Sequence, residues 1–339
     1  MAQPLGAHTA KAYSRFRLWA AVSALAVVLV IVAGGIVRST GSGMGCPEWP
    51  KCFGGWVPPT EVSQLPPDYR QRFDLYGHGV DEFNVYKTWT EYLNRLLGAL
   101  TGLILLGTMV YGWLRRLDKP QDSRLSLWAF TAATFGIAVQ GWLGAKVVSA
   151  NLAGYMVTLH MALALIILFL LLAAVWPRIQ APNTPLPPYL KTLALFGLIL
   201  TFVQVALGTQ VREAVDGYLE TDTPVSREAV IDLVGIIFLV HRSYSLTILA
   251  LNAYIGFQLQ RAGLLTSLQG RWHLLGWGIL LLTIPTGMVL AYLGLPHWAQ
   301  PIHLTGGSLL AAQQFMQYRA FRAALHEPTL TEKLPLQPA

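Results

Sequence analysis

Charge is scarce in this chain of 339 residues: Asp, Glu, Lys and Arg together make up 12%, about half of the roughly 25% usual in soluble domains. That shortage argues against intrinsic disorder, a fibrous repeat and an ordinary cytosolic enzyme. Cysteine is scarcer still, since Cys46 and Cys52 are the only two, and at most one internal disulfide can form. Basic runs are missing as well. Lys and Arg outnumber the acids 24 to 17, for a net charge of +7, but they sit in short clusters between apolar segments and share no amphipathic face. Nucleic acid is therefore not the expected partner. The N-terminus is expected to be a retained first helix: the apolar run after Lys11, Arg15 and Arg17 lasts from Leu18 to Val37, longer than the core of a signal peptide.

What is present is apolar sequence, 54% of the chain. A membrane-crossing helix needs about 20 apolar residues, and eight such segments can be counted, at roughly 17–37, 90–113, 125–148, 154–176, 189–211, 233–258, 273–293 and 301–320. The expected class is an all-α integral membrane protein, because lipid requires each segment to satisfy its own backbone. Arg115, Arg116, Lys119 and Arg124 fall between segments 2 and 3. Arg178 and Lys191 flank the 4–5 connection, Arg261 and Arg271 the 6–7 connection, and Arg319, Arg322 and Lys333 follow segment 8. The positive-inside rule puts these ends in the cytoplasm. The 5–6 connection is acidic (Glu213, Asp216, Glu220, Asp222, Glu228, Asp232) and, with the long 38–87 loop, is expected outside. Both termini are then cytoplasmic.

The chain repeats itself. Val139–Val147 matches Val203–Val211 in five of nine positions, relating segments 3 and 5. Gly144 precedes His160 by 16 positions, as Gly287 precedes His303. Asn94-Arg95 opens segment 2 as His241-Arg242 opens segment 6, and Arg38 ends segment 1 as Arg212 ends segment 5. Two four-helix bundles related by internal duplication follow: 17–176, containing the 38–87 loop, and 189–322. Cytoplasmic stretches 1–16, 177–188 and 323–339 flank and join them.

Ionisable residues within membrane helices are expensive and usually functional. Here they are Glu91, Arg95, Lys146, His160, His241 and His303, and Glu91, Asn94 and the three histidines fall near the outer start of even-numbered segments, at one depth. Two imidazoles on facing helices are a common way to hold haem iron, and His241 with His303 fits that pattern; the alternative is that each hydrogen-bonds a neighbouring helix. Ser245, Gly306 and Gly307 beside them leave room for a flat ligand. In the first half His160 has Asn94 opposite, a poor iron ligand. Glu91, Asn94, Gly98 and Gly102 share a face. An open axial position beside a carboxylate suits oxidation better than simple electron transfer, unless Glu91 only pairs with Arg95 or Arg38 to fix packing. Arg38, Arg95, Arg212 and Arg242 could grip propionates or simply snorkel to the interface. Cys46 and Cys52, outside the cytoplasm, can bond as a staple or act as a redox pair. His78 and His297 are solvated loop histidines or spare ligands.

These residues resemble the haem A synthase family. The resemblance covers about residues 15–320 and rests on Arg38-Ser-Thr-Gly-Ser-Gly43 with Trp49-Pro50 and Pro58-Pro59, on Glu91-Tyr-Leu-Asn-Arg95-Leu-Leu-Gly98, and on His160, His241-Arg242 and His303-Leu-Thr-Gly306-Gly. It implies a multi-pass protein of a bacterial-type cell membrane, with haem sites toward the outer face. It implies haem b held by His241 and His303. It implies haem O in the first bundle, oxidised at a ring methyl to a formyl group by successive hydroxylations and loss of water. Glu91 looks like the family's catalytic carboxylate and His160 like the substrate-haem ligand, with Asn94, Arg95, Arg38 and Gly98 around them and Arg212 and Arg242 as propionate contacts. The partners it implies are the lipid bilayer, haem O synthase, terminal-oxidase assembly factors and further copies of the chain. Two departures stand out: the family usually has His where Asn94 stands, and some members carry a second cysteine pair, absent here. The competing functions are a quinone-linked b-type electron carrier, which the Glu91–His160 group argues against, and a haem transporter, for which Pro285 inside a span is thin support.

Overall fold

Apolar runs of this length have one way to bury their backbone, and they take it: eight helices dominate the chain. In a computed structural model, residues 7–118, 121–179, 186–219, 225–227 and 229–324 are described. Lys119, Glu220, Asp222, Glu228, Lys333, the C-terminal tail from 325 and parts of 1–16 and 177–188 lie outside them. The long helices are α1 (Ala7–Ser39), α2 (Val85–Leu114), α3 (Gln121–Ser149), α4 (Gly154–Val175), α5 (Tyr189–Leu219), α6 (Ile236–Arg261), α7 (Leu268–Tyr292) and α8 (Ala299–Ala324). Short helical turns occur at Val62–Gln64, Tyr69–Arg72 and Val230–Val234, and no strand occurs among the described residues.

Several ends are set by local chemistry. Asn84 starts α2 by accepting the Lys87 N–H at 3.1 Å, and Ser267 starts α7 by accepting from Gly270 at 3.2 Å, each side chain satisfying an otherwise orphan donor. Within the helices, Thr101, Thr108, Thr134, Thr158, Thr283 and Thr286 turn their hydroxyls back onto carbonyls four residues earlier. That hides a polar group where no water is at hand. α5 runs past the apolar segment to Leu219, so Glu213 and Asp216 are helical instead of lying in a loop; an Arg212–Asp216 pair one turn apart supports the extension.

α1 packs on α2 and α4, and α3 on α2 and α4; α5 packs on α6 and α8, and α7 on α8. Phe16, Leu105, Leu127, Phe130, Ile167 and Leu171 form the first core. Leu190, Ile255, Leu259 and Phe321, with Leu200, Ile248, Leu280 and Leu310, form the corresponding cores of the later helices. Three further contacts join these groups, α1 with α8, α4 with α5 and α4 with α8.

Six of the eight helices are long and apolar enough to cross a membrane by length and composition; α3 and α8 are not among them. α8 has a physical reason. Gln313, Gln314 and Gln317 are buried and bonded internally: Gln313 to the Trp272 carbonyl and to Gln317, Gln317 to His273 Nδ1, and Gln314 to Asn252. Its polarity is turned inward, where the amide nitrogens of Gln313 and Gln314 find partners, so a hydropathy average underrates it. Outside, Leu18, Leu103, Phe135, Leu246, Leu281 and Tyr292 stand exposed, an apolar surface far beyond that of a water-soluble monomer.

Candidate functional site

The residue types expected at one depth are positioned by a repeated device. α3, α5 and α7 each present a glycine to a histidine on α4, α6 or α8. A methyl group at Gly144 would lie 3.5 Å from Cε1 of His160, one at Gly208 3.2 Å from Cε1 of His241, and one at Gly287 2.8 Å from Cε1 of His303. Four residues before each glycine the helix makes a second contact. Gln140 donates to the His160 carbonyl at 2.9 Å and Gln204 to the His241 carbonyl at 3.0 Å, while the Thr283 carbonyl accepts from His303 Nδ1 at 2.9 Å. Pro285 lies in this same turn of α7; it has no N–H to close the ladder there. The helix still runs through it.

His241 and His303 come together. Their ring centroids are 6.2 Å apart with planes at 69°, too far for a bond between the rings. Two metal–imidazole bonds of about 2 Å each, plus roughly 1 Å from nitrogen to centroid on either side, span about the same distance. The Thr283 carbonyl holds the proton of His303 on Nδ1, which leaves Nε2 as the free electron pair, the usual arrangement behind a ligating histidine. His241 Nδ1 is buried and without a protein partner. Among the described residues no group of three or more His, Cys, Asp or Glu could cage a bare ion. The two imidazoles therefore fit a metal that brings most of its own ligands, as a porphyrin does.

The first-half residues are arranged differently. His160 faces Gly144, and its Nδ1 is buried without a partner, as is Oδ1 of Asn94. Gly34, which the repeat matches to Gly208, has nothing within 4 Å of where a Cβ would point, and neither has Gly98. Gly34 thus has no counterpart of the His241 ring that meets Gly208 in the second half. Glu91, 4% exposed, is fully engaged: one oxygen takes Arg95 Nε at 3.1 Å and Nη2 at 2.5 Å, the other the Cys46 N–H at 2.7 Å. Arg95 also donates to the carbonyls of Cys46, Glu48 and Lys51. Thr88 donates to the Gly45 carbonyl, and Gly45 rests so closely on the Lys87 backbone that a Cβ would not fit. The Glu91–Arg95 pair thus straps the 45–51 loop to the first turns of α2.

Cys46 and Cys52 are bonded and almost wholly buried, at 0% and 1% exposure. A buried sulfur is shielded from attacking thiols, which favours the staple over a reactive pair. Arg38 and Arg212 both pair with Asp216. Arg242 is exposed, lies over the Phe238 ring and reaches the Tyr292 hydroxyl at 3.4 Å. Gly306 meets Thr283 of α7 as a close helix contact, and Gly307 rests on Val205. His78 contacts the Ser149 carbonyl and His297 the Ser39 carbonyl.

Sequence reasoning missed Thr283, Gln140, Gln204 and Gly208 as partners of the histidines. The signal was in the repeat, where Gln140 and Gly144 recur as Gln204 and Gly208, but nothing in it said that those positions face the next helix's histidine. Asp216 and His273 carry no such signal: in the sequence one falls in an acidic connection and the other at the edge of an apolar segment.

Residues 17–315 match the family model COX15-CtaA, described as cytochrome oxidase assembly protein. The chain belongs to this family. Similar curated proteins carry the name Heme A synthase. One from Bradyrhizobium sp. is 28% identical over 328 residues, covering 82% of this chain and 86% of the relative. One from Sphingopyxis alaskensis is 31% identical over 228 residues, covering 62% and 61%. One from Wolbachia sp. subsp. Brugia malayi is 30% identical over 205 residues, covering 56% and 59%. The chain thus spans about three fifths of the length of the latter two. As a COX15-CtaA protein with several apolar spans, it is a membrane protein.

Proposed function

We propose that this COX15-CtaA chain is a haem A synthase, an oxidoreductase that converts the ring methyl of haem O to a formyl group by successive hydroxylations and loss of water. The observation that carries the reading is the facing pair His241 and His303, 6.2 Å between ring centroids, in a chain whose relatives are named Heme A synthase. In this reading all eight long helices span the membrane as two duplicated bundles, 17–176 and 189–322. The termini lie in the cytoplasm and the histidines toward the outer face. The asymmetric distribution of Lys and Arg supports that orientation.

His241 and His303 would hold a resident haem b, which supplies one-electron transfer when bound. The chain's own residues do the rest. Thr283 fixes the tautomer of His303, and Gly208 and Gly287 let the rings approach α5 and α7. In the first half His160 would ligate the substrate's iron, with Asn94 leaving the opposite side weakly ligated. The open volume at Gly34 and Gly98 supports entry of a flat substrate there. Glu91 would accept or return a proton at the reacting carbon, oriented by Arg95 and the Cys46 N–H. The stapled 45–51 loop, strapped down by the same pair, would keep water from that face. Arg38, Arg95, Arg212 and Arg242 are the guanidiniums that would meet propionates; Arg95 is already paired with Glu91, and Arg38 and Arg212 with Asp216.

Haems extracted from protein expressed with a source of haem O and separated by chromatography test the proposal. Haem A, or a hydroxylated intermediate, beside haem b is the expected result. Haem b alone, with haem O unconverted, overturns the synthase reading and leaves a b-type electron carrier.

A further inference from the structure

We propose that Asp216 is a positioning residue common to both haem sites: one carboxylate, at the junction of the two halves, orders the propionate-gripping arginine of each. The inference rests on the haem reading given above.

The placement follows from how the repeat maps onto the contacts. Matching Arg38 to Arg212 also matches Gly35 to Thr209, Ser39 to Glu213 and Ser42 to Asp216; matching His160 to His303 matches Thr158 to Pro301 and Gly154 to His297. The contacts obey this mapping. Thr209 and Thr158 share a hydrogen bond at 2.6 Å, and Gly35 packs on Pro301. Glu213 accepts the Gly154 N–H at 3.0 Å, and Ser39 accepts from His297. These two contacts of α5 with α4 have counterparts between α1 and α8. Arg38 and Arg212 therefore occupy equivalent places about a local two-fold, each on the helix that packs against the other half's histidine-bearing helix.

The acid between them is not duplicated. Where α5 carries Asp216 the first half has Ser42, whose hydroxyl is bonded to Thr40. Asp216 accordingly serves both cations: Oδ1 takes Arg212 Nη2 at 2.6 Å, and Oδ2 takes Arg38 Nη2. The three side chains are 23%, 20% and 14% exposed for Arg212, Arg38 and Asp216, so the pairings are only partly screened. Arg38 Nε is buried without a protein partner, a donor left for another acid. A guanidinium held by one fork edge keeps its remaining donors in a fixed plane. Without Asp216 both cations lose the carboxylate that they share.

The test uses full-length protein loaded with haem b and haem O, with an excess of apo-globin as acceptor for released haem. The two sites separate by spin state, because a haem with two histidines is low-spin and a haem with His160 alone is high-spin. Asp216→Asn should speed release from both sites in parallel, by on the order of tenfold, the usual effect of losing a charge-assisted bond. It should also raise the reduction potential of the low-spin haem, since a fixed negative charge is gone. Faster release from the low-spin site alone, or from neither, overturns the proposal and reduces Asp216 to a local partner of Arg212. If Asp216→Asn does not fold, Asp216→Glu takes its place: a parallel change at both sites supports sharing, and a change at one or none overturns it. A wild-type protein with no low-spin haem would instead overturn the haem reading itself.

Discussion

Single side chains set the clearances on which the histidine sites depend, and the clearances are graded. A methyl group fits beside His160 at ordinary contact distance, must push by a few tenths of an ångström beside His241, and does not fit beside His303. Gly287→Ala should therefore displace the His303 ring from the Thr283 carbonyl and abolish the low-spin b-type spectrum. Gly208→Ala should weaken that spectrum, and Gly144→Ala should leave it intact. Absorption spectra of the three purified variants check the order; equal effects would show that the rings do not stand where these glycines meet them. Glu91 poses a different question, because its carboxylate both straps a loop and stands near the substrate site. Glu91→Ala strands the Arg95 guanidinium, and breaking a buried pair from one side costs roughly 3 kcal/mol or more, so a fall in thermal stability is expected. Glu91→Gln keeps an acceptor for the Cys46 N–H without the charge. It should hold the loop and the b-type spectrum while ending formation of haem A. Normal product from Glu91→Gln would leave the residue an anchor only.

Helices repeat in this chain more faithfully than residues do, and that governs what could be read in advance. The long helices were legible because their exposed surfaces and their buried cores are both apolar, although only six of them are apolar enough to cross a membrane by length and composition. The histidines were legible because so few polar groups interrupt those segments. The ends were less so: α5 continues to Leu219 and α2 begins at Val85, since capping and an i,i+4 ion pair extend a helix where hydropathy has already fallen. Pairings across helices were not legible at all. That Gln204 reaches the His241 carbonyl, or that Arg38 meets Asp216, depends on helix rotation and offset, which composition does not encode. The repeat does license one prediction at this scale. His241 stands against Gly208, and the equivalent Gly34 has nothing near it, so Asn94→His should fold with unchanged stability and add a second imidazole to the first site. A shift of its haem from high-spin to low-spin, read by electron paramagnetic resonance, is the expected outcome. An unfolded variant would show that Asn94 is held by packing.

For the molecule as a whole the decisive relation is between its two ends. The disulfide-stapled loop, the arginines about Asp216 and the three histidines lie toward the end where α1 finishes and α2 begins. The buried His273, Gln313 and Gln317 lie toward the other, near the start of α7 and the end of α8. The exposed apolar side chains form the surface between. If that surface is lipid-facing, the two ends are in different compartments, and the oxidisable cysteines belong to the one that permits a disulfide. Since Cys46 and Cys52 are bonded and no free cysteine is present, single reporter thiols can be added without removing any. Ser63 sits on an exposed turn of the stapled loop and Thr266 is exposed between α6 and α7. With an impermeant maleimide on intact cells, Ser63→Cys should label at once. Thr266→Cys should label only after the membrane is opened. The reverse pattern would invert the orientation and put the disulfide in a reducing compartment, and labelling of both from outside would mean that the helices between them do not cross the membrane an odd number of times.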